Sequence, residues 1–348
     1  MNFYKQLFLI LIVFFKTETL FSKNDLFNVN NIKLEKKDKI SNNALANQAI
    51  TEGFNQLIGK ILLKEDSEKL IDLKFSSIKK LVSYYQIIKI PEEKKIEESV
   101  NFSVTFDKDK IHDLFYDKGI SYSEITDKEL YILPVLIKEN EINIFNKNYF
   151  YNNWNEIYKN DLIEFILPLE NIEIIRSINN YKNNLLNLDL LNLFKEYPDK
   201  NRAIILIEQN KTGNKKIYLK SIIQGKEISK SLDIRDKNLT GNNLNEKIII
   251  KSKKELINLV KSKNLIDIRT PSFLNVKLSI GKKSNFVELK DRITNIDLIE
   301  NIYVQEFNKD YMYLRIKYLG KLEKIINEFK KENIDLKLID DQWVIKTI

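Results

Sequence analysis

Cysteine is absent from this 348-residue chain, histidine occurs once, and glycine occurs only eight times. The absence of cysteine excludes disulfides, thiol nucleophiles, iron–sulfur clusters and cysteine-ligated zinc. The single histidine, His112, excludes histidine-rich metal sites and leaves little room for a histidine-based catalytic triad. The few glycines form neither of the glycine-rich phosphate-binding motifs. The sequence therefore predicts no metal and no cofactor.

Apolar side chains, in contrast, are abundant. Hydrophobic residues make up 43% of the chain and aromatic residues 11%. These fractions exclude a disordered or fibrous protein, because enough apolar surface is present to form a core. At ~150 residues per domain, the length indicates two or three folded units.

The charge is positive but scattered. Lys and Arg number 57 against 49 Asp and Glu, a net charge of +8, and only six of the cations are arginines. Lysine pairs such as Lys79-Lys80 and Lys215-Lys216 recur along the chain with acidic residues close by. A nucleic-acid-binding protein more often concentrates its cations on one element, so this pattern favours solvated faces and makes nucleic acid an unlikely partner. A basic stripe for an anionic lipid or polymer is the alternative.

The N-terminal segment predicts export. Lys5 precedes an unbroken run of nine apolar residues, 7–15, and a polar stretch follows Lys16. A spanning helix needs ~20 apolar residues, so the run is typical of a secretory signal peptide, residues 1–22, with cleavage after Ser22. An uncleaved anchor and a buried N-terminal strand or helix are the alternatives. No later run approaches membrane length, so we expect a periplasmic or secreted protein with no transmembrane span in the mature chain.

Residues 23–198 are predicted to form one or more N-terminal α+β domains. The order is a strand at 27–35, a helix from Ser41 or Asn42, a second helix at 67–88 and a strand at 100–106. A strand at 130–137 is apolar enough to be buried on both faces, and Pro134 within it indicates a bulge or an unpaired edge. The first helix carries a stripe of small residues that permits close packing: Ala46, Ala49 and Gly53.

The pattern changes after residue 198. Residues 199–268 predict a three-stranded antiparallel meander followed by a helix. Residues 272–348 follow the order β-α-β-β-α-β, which is typical of a ferredoxin-like sandwich. The fold class expected for the whole chain is therefore α+β, with several small mixed domains.

Catalytic motifs are present only in fragments. Ser76-Ser77-Ile78-Lys79, Ser177-Ile-Asn179 and Lys211-Thr-Gly213 occur in the order seen in penicillin-binding enzymes. The last fragment, however, lies at a predicted hairpin turn instead of in a strand, and Ser-x-x-Lys recurs elsewhere in this lysine-rich chain. We therefore predict no catalytic residues. An envelope hydrolase using carboxylates or a serine nucleophile is the alternative.

Two places stand out as candidate binding residues. Residues 145–158 are rich in aromatic and amide side chains, which can stack on sugars or anchor a protein partner. The candidates in this segment are Tyr149, Tyr151, Trp154 and Tyr158. On a helix, however, Phe150, Trp154 and Ile157 share one face, so core packing is the alternative. Arg269, beside Thr270-Pro271, is a candidate carboxylate clamp or the partner in an interdomain ion pair.

The order of elements resembles a known family. The signal, the strand at 27–35, the small-residue helix at 42–63, the strand at 130–136 and the ending Asp341-Gln-Trp343-Val-Ile are similar to exported bacterial proteins grouped as "domain of unknown function 2066". The resemblance implies export and a multi-part α+β architecture, and it supplies no catalytic residues.

These observations together predict a non-enzymatic, periplasmic protein that binds or scaffolds an envelope component, either a protein or a polymer. Its motivation is the export signal, the several small domains and the lack of a coherent catalytic set. The hydrolase is the first alternative, and a basic nucleic-acid or anionic-lipid binding module is the second.

Overall fold

The computed structural model describes residues 26–35, 41–88, 99–139, 141–181, 184–210, 215–234, 241–280 and 286–348. Helices and strands mix throughout these ranges, which confirms the α+β class. The predicted signal peptide, residues 1–22, and the fragment Lys211-Thr-Gly213 lie outside the described residues. Two compact units are present. The first comprises the described residues within 26–60 and 65–120, and the second comprises those within 61–64 and 121–348.

The first unit contains one three-stranded sheet and its helices. In chain order the elements are β1 (Asn28–Glu35), α1 (Asn42–Ile61), α2 (Lys64–Glu68), α3 (Phe75–Lys80), β2 (Val82–Ile88), β3 (Ser99–Phe106) and α4 (Lys108–Lys118). The sheet order is β1-β3-β2, and both pairings are antiparallel. The last residue of α1 and the first of α2 fall in the 61–64 segment that belongs to the second unit.

Helix α1 approaches the sheet closely through its small residues. Ala46, Ala49 and Gly53 are all buried, as the small-residue stripe predicts. A Cβ at Gly53 would lie 2.9 Å from Ile32 Cδ1 and 3.4 Å from Val104 Cβ, so any larger residue here would require the Ile32 side chain to shift. Close packing of this kind is what a small residue on a helix permits.

The predicted helix over residues 67–88 is wrong. Two short helices, α2 and α3, replace its first half, and its second half is the edge strand β2. The residues of β2 are mostly β-branched or aromatic, which favours a strand beside β3 over a helix. In contrast, both ends of α4 are determined by local capping, with Asp107 at its N-terminus and Gly119 at its C-terminus. The Asp107 side chain accepts from the Asp109 and Lys110 amides, and Gly119 has φ 60°.

The second unit contains three sheets. Its elements are β4 (Tyr122–Ser123), β5 (Glu129–Lys138), β6 (Glu141–Asn143), α5 (Tyr149–Asn153), β7 (Glu164–Ile166), α6 (Ile172–Asn180), α7 (Leu190–Leu193), β8 (Asn201–Gln209), β9 (Lys215–Ile223), β10 (Lys226–Leu232), α8 (Gly241–Lys263), β11 (Leu265–Ile266), β12 (Ser272–Ser279), α9 (Phe286–Thr294), β13 (Ile299–Phe307), β14 (Tyr311–Tyr318), α10 (Leu322–Lys331), β15 (Ile334–Ile339) and β16 (Gln342–Thr347).

Six strands form one sheet with the order β10-β9-β8-β5-β6, and β7 also pairs with β5. The meander β8-β9-β10 and the helix α8 lie where the sequence predicts them. However, β5 and β8 pair in parallel over nine residues, so the sheet runs across the boundary expected at residue 198. A separate apolar cluster covers each face of this sheet, and the apolar residues of β5 and β8 are divided between the two clusters.

Pro134 lies at a gap in the edge pairing of β5. On the side away from β8, β7 pairs with Glu129–Tyr131 and β6 with Leu136–Lys138, and neither reaches the four residues between. Because proline donates no backbone hydrogen bond, it is accommodated where ladder pairing is interrupted. This arrangement matches the unpaired edge that Pro134 predicts.

The side chain of Asn148 fills that gap. Its Nδ2 donates to the carbonyl oxygens of Pro134 at 2.9 Å, Ile144 at 2.8 Å and Asn143 at 3.1 Å. Its Oδ1 accepts from the Phe150 amide at 3.1 Å, and the residue caps α5. Asn148 is fully buried, so one amide satisfies backbone groups of β5, β6 and α5 that water does not reach.

The C-terminal sheet has the order β13-β14-β12-β16-β15. The elements β12-α9-β13-β14-α10 follow the predicted order, but the ferredoxin-like detail is not confirmed. The chain closes with a hairpin, β15-β16, in place of a single strand, and β16 pairs in parallel with β12. The turn between them has Asp340 and Asp341 at φ 46° and 60°, which suits a two-residue hairpin connection.

We predict that Asn148→Ala lowers the free energy of unfolding by about 2–4 kcal/mol, because it leaves buried carbonyl groups unpaired and removes a helix cap. Urea denaturation measures the change. Asn152→Ala, at an exposed position on the same helix, is the matched control and should change stability by less than about 0.5 kcal/mol. Equal effects of the two substitutions would show that the buried amide does not organise this region.

Candidate binding face on the C-terminal sheet

The strands β12 and β14 alternate strictly between two faces. Buried residues occupy one set of positions, and the other set is exposed or half-buried. The buried positions are Leu274, Val276 and Leu278 on β12 and Met312, Leu314, Ile316 and Tyr318 on β14. Since α9 and α10 also bury apolar residues, among them Leu289 and Phe329, the helices cover the face formed by these positions. On the opposite face the described side chains are exposed or half-buried, and we call it the open face.

Aromatic side chains occupy the middle of this open face. Phe273 on β12 is 46% exposed and Tyr303 on β13 is 44% exposed. Tyr311 and Tyr313 on β14 are half-buried, with ring centroids 5.0 Å apart in an edge-to-face arrangement. Exposed rings on a sheet cost free energy in water unless a ligand covers them, so their clustering identifies a candidate binding surface.

Two cations lie directly over these rings. Lys277 Nζ is 4.5 Å from the centroid of Tyr311 and 5.8 Å from that of Tyr313. Arg315 Cζ is 4.1 Å from the centroid of Phe273. Neither cation lies within salt-bridge distance of a carboxylate in the part of the chain that the structure describes. Attraction to the ring faces therefore holds them in place without neutralising their charge.

The remaining cations of the face are already paired. Lys317 Nζ lies 2.6 Å from Glu300, while Lys337 and Lys346 lie 2.9 Å and 3.5 Å from Asp335. Hydrogen bonding to Glu300 raises the pKa of Lys317, and hydrogen bonding to Lys337 lowers the pKa of Asp335. The uncompensated positive charge is thus confined to Lys277 and Arg315 among the described residues of this face.

Tyr311 is held as a neutral phenol. Its hydroxyl donates to Glu306 Oε1 at 3.2 Å, and this hydrogen bond raises the pKa of the phenol. Since the ordinary pKa of tyrosine, about 10, already lies well above physiological pH, the ring is uncharged there and offers its face to Lys277 or to a ligand. An open surface with rings, two free cations and hydrogen-bonding hydroxyls can hold an extended anionic ligand by stacking and charge attraction.

The aromatic segment predicted from the sequence lies mostly in the core. Trp154 is fully buried, 6.1 Å from the ring of Phe165, and Tyr149 is half-buried against the same cluster. Tyr151 is half-buried on the other side of the sheet, and its hydroxyl donates to the Pro168 carbonyl at 2.9 Å. Trp154 is therefore unavailable to a ligand, because capping by Asn148 starts α5 with its apolar side inward.

Tyr158 is the most exposed of these candidates, at 38%. Its ring has the ammonium of Lys254 at 5.4 Å, and its backbone has φ 57°. The carbonyl groups of Tyr158 and Ile157 both accept from buried Lys253, at 3.3 Å and 2.8 Å. The structure does not bring Tyr158 together with the buried Trp154 as one surface, so these residues do not form a joint site.

Arg269 has a partner within its own loop. Its guanidinium donates to both carboxylate oxygens of Asp267, at 2.8 Å and 2.9 Å, and this pairing lowers the pKa of Asp267. The interdomain ion pair that the sequence left open is therefore not needed to explain this arginine. Of the serine-lysine fragments, Ser76 and Lys79 are exposed on the short helix α3 of the first unit, and Ser177 lies on α6 of the second.

A cleft of about 290 Å³ lies beside α6 and α7 and contains carboxylates. Glu173 in this cleft pairs with Lys195 at 2.5 Å, and that hydrogen bond lowers the pKa of Glu173. Glu170, in the same cleft, accepts from the amide of Asn146 at 3.3 Å. A general acid needs a carboxyl with a raised pKa, so the state of Glu173 does not suit that role.

Within the described ranges, no group of three or more His, Cys, Asp or Glu side chains is arranged to hold a metal ion. No helix in those ranges has the length and apolar character required to cross a membrane. Comparison of the chain with protein-family models, curated proteins and solved structures finds no match.

Sequence reasoning missed the residues of the open face: Phe273, Lys277, Tyr303, Tyr311, Tyr313 and Arg315. A signal was present, because aromatic, polar or charged residues alternate with aliphatic ones or methionine along 273–278 and 311–316. Alternation shows that a strand has two different faces. It does not show that the polar face of one strand lies beside aromatic residues of the next.

Lys253 provides a pH test of the packing around Trp154. The side chain is buried over the rings of Trp154 and Phe165, and desolvation lowers the pKa of Lys253 to about 8. In the unfolded chain its pKa is about 10.4. Between these values the unfolded state holds a proton that the folded state lacks, so this group raises stability as the pH increases.

Lys253→Met removes this titration. Between pH 8 and about pH 10, we expect the free energy of unfolding to rise less in the variant than in the wild-type protein, by up to ~1.4 kcal/mol for each pH unit. Chemical denaturation at several pH values measures this gain. Lys254→Met, at the exposed neighbouring position, is the control, and its free energy of unfolding should depend on pH as that of the wild-type protein does. An unaltered pH dependence in the Lys253 variant would contradict the lowered pKa.

Proposed function

We propose that this chain is a binding protein that holds an anionic component of the cell envelope on the open face of its C-terminal sheet. The observation that carries the proposal is the position of Lys277 over the half-buried ring of Tyr311 and of Arg315 over the exposed ring of Phe273, with no carboxylate partner for either cation among the described residues. A structural ion pair would have used these charges within the protein. A charge left free beside apolar rings is available to a ligand.

The shape of the surface favours binding over hydrolysis. An open sheet face can contact a long ligand over many small interactions, whereas catalysis usually requires a concave pocket with a perturbed acid or base. The carboxylates of the open face are paired with lysine or hydrogen-bonded to tyrosine. The hydrolase alternative is therefore less well supported than binding.

The envelope location rests on the N-terminal sequence. The apolar run at 7–15 after Lys5 supports export, and the resemblance to the "domain of unknown function 2066" proteins supports the same location. Both are proposals that need direct tests. The nucleic-acid and anionic-lipid alternatives share the need for positive charge, and the limited number of free cations on the face weakens both.

We predict that the purified chain lacking residues 1–22 sediments with isolated cell-envelope fragments. The double variant Lys277→Gln/Arg315→Gln should lower the bound fraction several-fold, since it removes the free charge and keeps the aliphatic stems. The matched control, Lys290→Gln/Lys330→Gln, makes the same change of charge at exposed positions of α9 and α10 on the covered side. Equal loss in both variants would rule out a role for the open face.

Export has a test of its own. A fusion of residues 1–40 to alkaline phosphatase should be active, because this reporter forms its disulfides only outside the cytoplasm. Leu11→Arg places a charge in the middle of the apolar run and should abolish the activity, whereas Lys16→Gln should preserve it. An inactive fusion with the unchanged segment would remove the envelope location from the proposal.

A further inference from the structure

We propose that the ligand of the open face is an acidic polysaccharide, a chain of sugars in which only some units carry a carboxylate. This inference rests on the proposed binding function and specifies its ligand class.

The charge of the open face suits a sparsely charged polymer. Three of its lysines, Lys317, Lys337 and Lys346, are held by carboxylates, so only Lys277 and Arg315 are free among the described residues. Nucleic acid carries a phosphate on every nucleotide, and its affinity comes from neutralising several of them at once. Two free cations are enough to pair with the anionic groups of a polymer in which these groups are separated by neutral units.

The carboxylates of the face add a second restriction. Glu306, Glu300 and Asp335 lie on or at the border of the same surface, opposite or beside the strand positions of Tyr313, Lys317 and Lys346. A phosphate chain laid across the sheet would bring like charges close to them, which lowers affinity. Neutral sugar units have no such cost next to a carboxylate, and their hydroxyl groups can donate hydrogen bonds to it.

The uncharged groups of the face also match sugars. Asn275, Ser279 and Asn301 are exposed at strand positions that alternate with the buried ones, and they supply amide and hydroxyl partners. Phe273 and Tyr303 provide exposed apolar rings, on which the C–H faces of a sugar ring can pack. The combination of flat apolar surface and neutral hydrogen-bonding groups suits a hydroxyl-rich ring better than a bare anion.

The two free cations are separated along the surface. Lys277 lies opposite Tyr313, and Arg315 lies opposite Asn275, so their Cα atoms are diagonal neighbours about 7–8 Å apart. Their side chains reach rings toward opposite ends of the strands, Tyr311 for Lys277 and Phe273 for Arg315. The face extends about 20 Å along β12, and five strands give about 19 Å across. Several consecutive sugar units therefore fit on the surface.

Three polymers test the inference by isothermal titration calorimetry on the chain lacking residues 1–22. The probes are hyaluronan fragments, in which a carboxylate-bearing sugar alternates with a neutral one, dextran fragments of similar length and single-stranded oligo-dT. We expect hyaluronan to bind more tightly than either of the others. Lys277→Gln/Arg315→Gln should weaken its binding by about tenfold or more, and the Lys290→Gln/Lys330→Gln control should weaken it less than about twofold.

Circular dichroism and thermal unfolding confirm that each variant is folded before its affinity is measured. As a second surface variant, Phe273→Ser should also weaken hyaluronan binding without changing the charge. Oligo-dT binding as tightly as hyaluronan, or tighter, would overturn the acidic polysaccharide and leave the binding face intact. Equal binding of dextran would do the same, because charge would then play no part. If no probe binds while envelope sedimentation still depends on Lys277 and Arg315, the ligand class is wrong and the proposed function stands.

Discussion

In the C-terminal sheet, α9 and α10 lie against the same face, and the proposed binding surface depends on this one-sided covering. The crossover from β12 to β13 and the crossover from β14 to β15 each join parallel strands, and they run toward opposite edges of the sheet. Because β12 and β14 are antiparallel and such crossovers are right-handed, both helices belong on the same face. Among the described residues, the other face is formed by the alternate residues of the strands, which explains why aromatic and cationic side chains meet there beyond the reach of α9 and α10.

The six-stranded sheet differs from the C-terminal sheet, because apolar clusters lie on both of its faces. Its weak point is the edge of β5 at Pro134, where ladder pairing stops. There the buried side-chain amide of Asn148 donates to the Pro134 carbonyl oxygen, and the same side chain caps the N-terminus of α5. Aromatic residues that look like a binding surface in the sequence are thereby directed inward. The proposed binding surface thus lies on the C-terminal sheet, and the aromatic-rich segment serves the core.

Much of the local structure could be predicted from the sequence. The capping of α4 by Asp107 and Gly119, the small-residue face of α1 and the meander after residue 200 all depend on neighbouring residues. What could not be predicted depends on distant partners. Strand β2 forms because it pairs with β3. Strands β5 and β8 pair in parallel although they are far apart in the chain, and no local sequence pattern predicts this pairing. The open face could not be predicted for the same reason, because Lys277 and Arg315 contact aromatic rings only when β12 and β14 lie side by side.

Hydroxyl-radical footprinting tests the central claim most directly, since oxidation reports the exposure of individual aromatic side chains. The full chain after removal of residues 1–22 is oxidised with and without isolated envelope fragments, and the modified peptides are identified by mass spectrometry. The account predicts protection of Phe273, Tyr303 and Tyr311 by the fragments, while exposed Tyr84 and Tyr85 on β2 stay as reactive as before. Unchanged oxidation at the three C-terminal positions, with protection elsewhere, would contradict the open face as the binding surface.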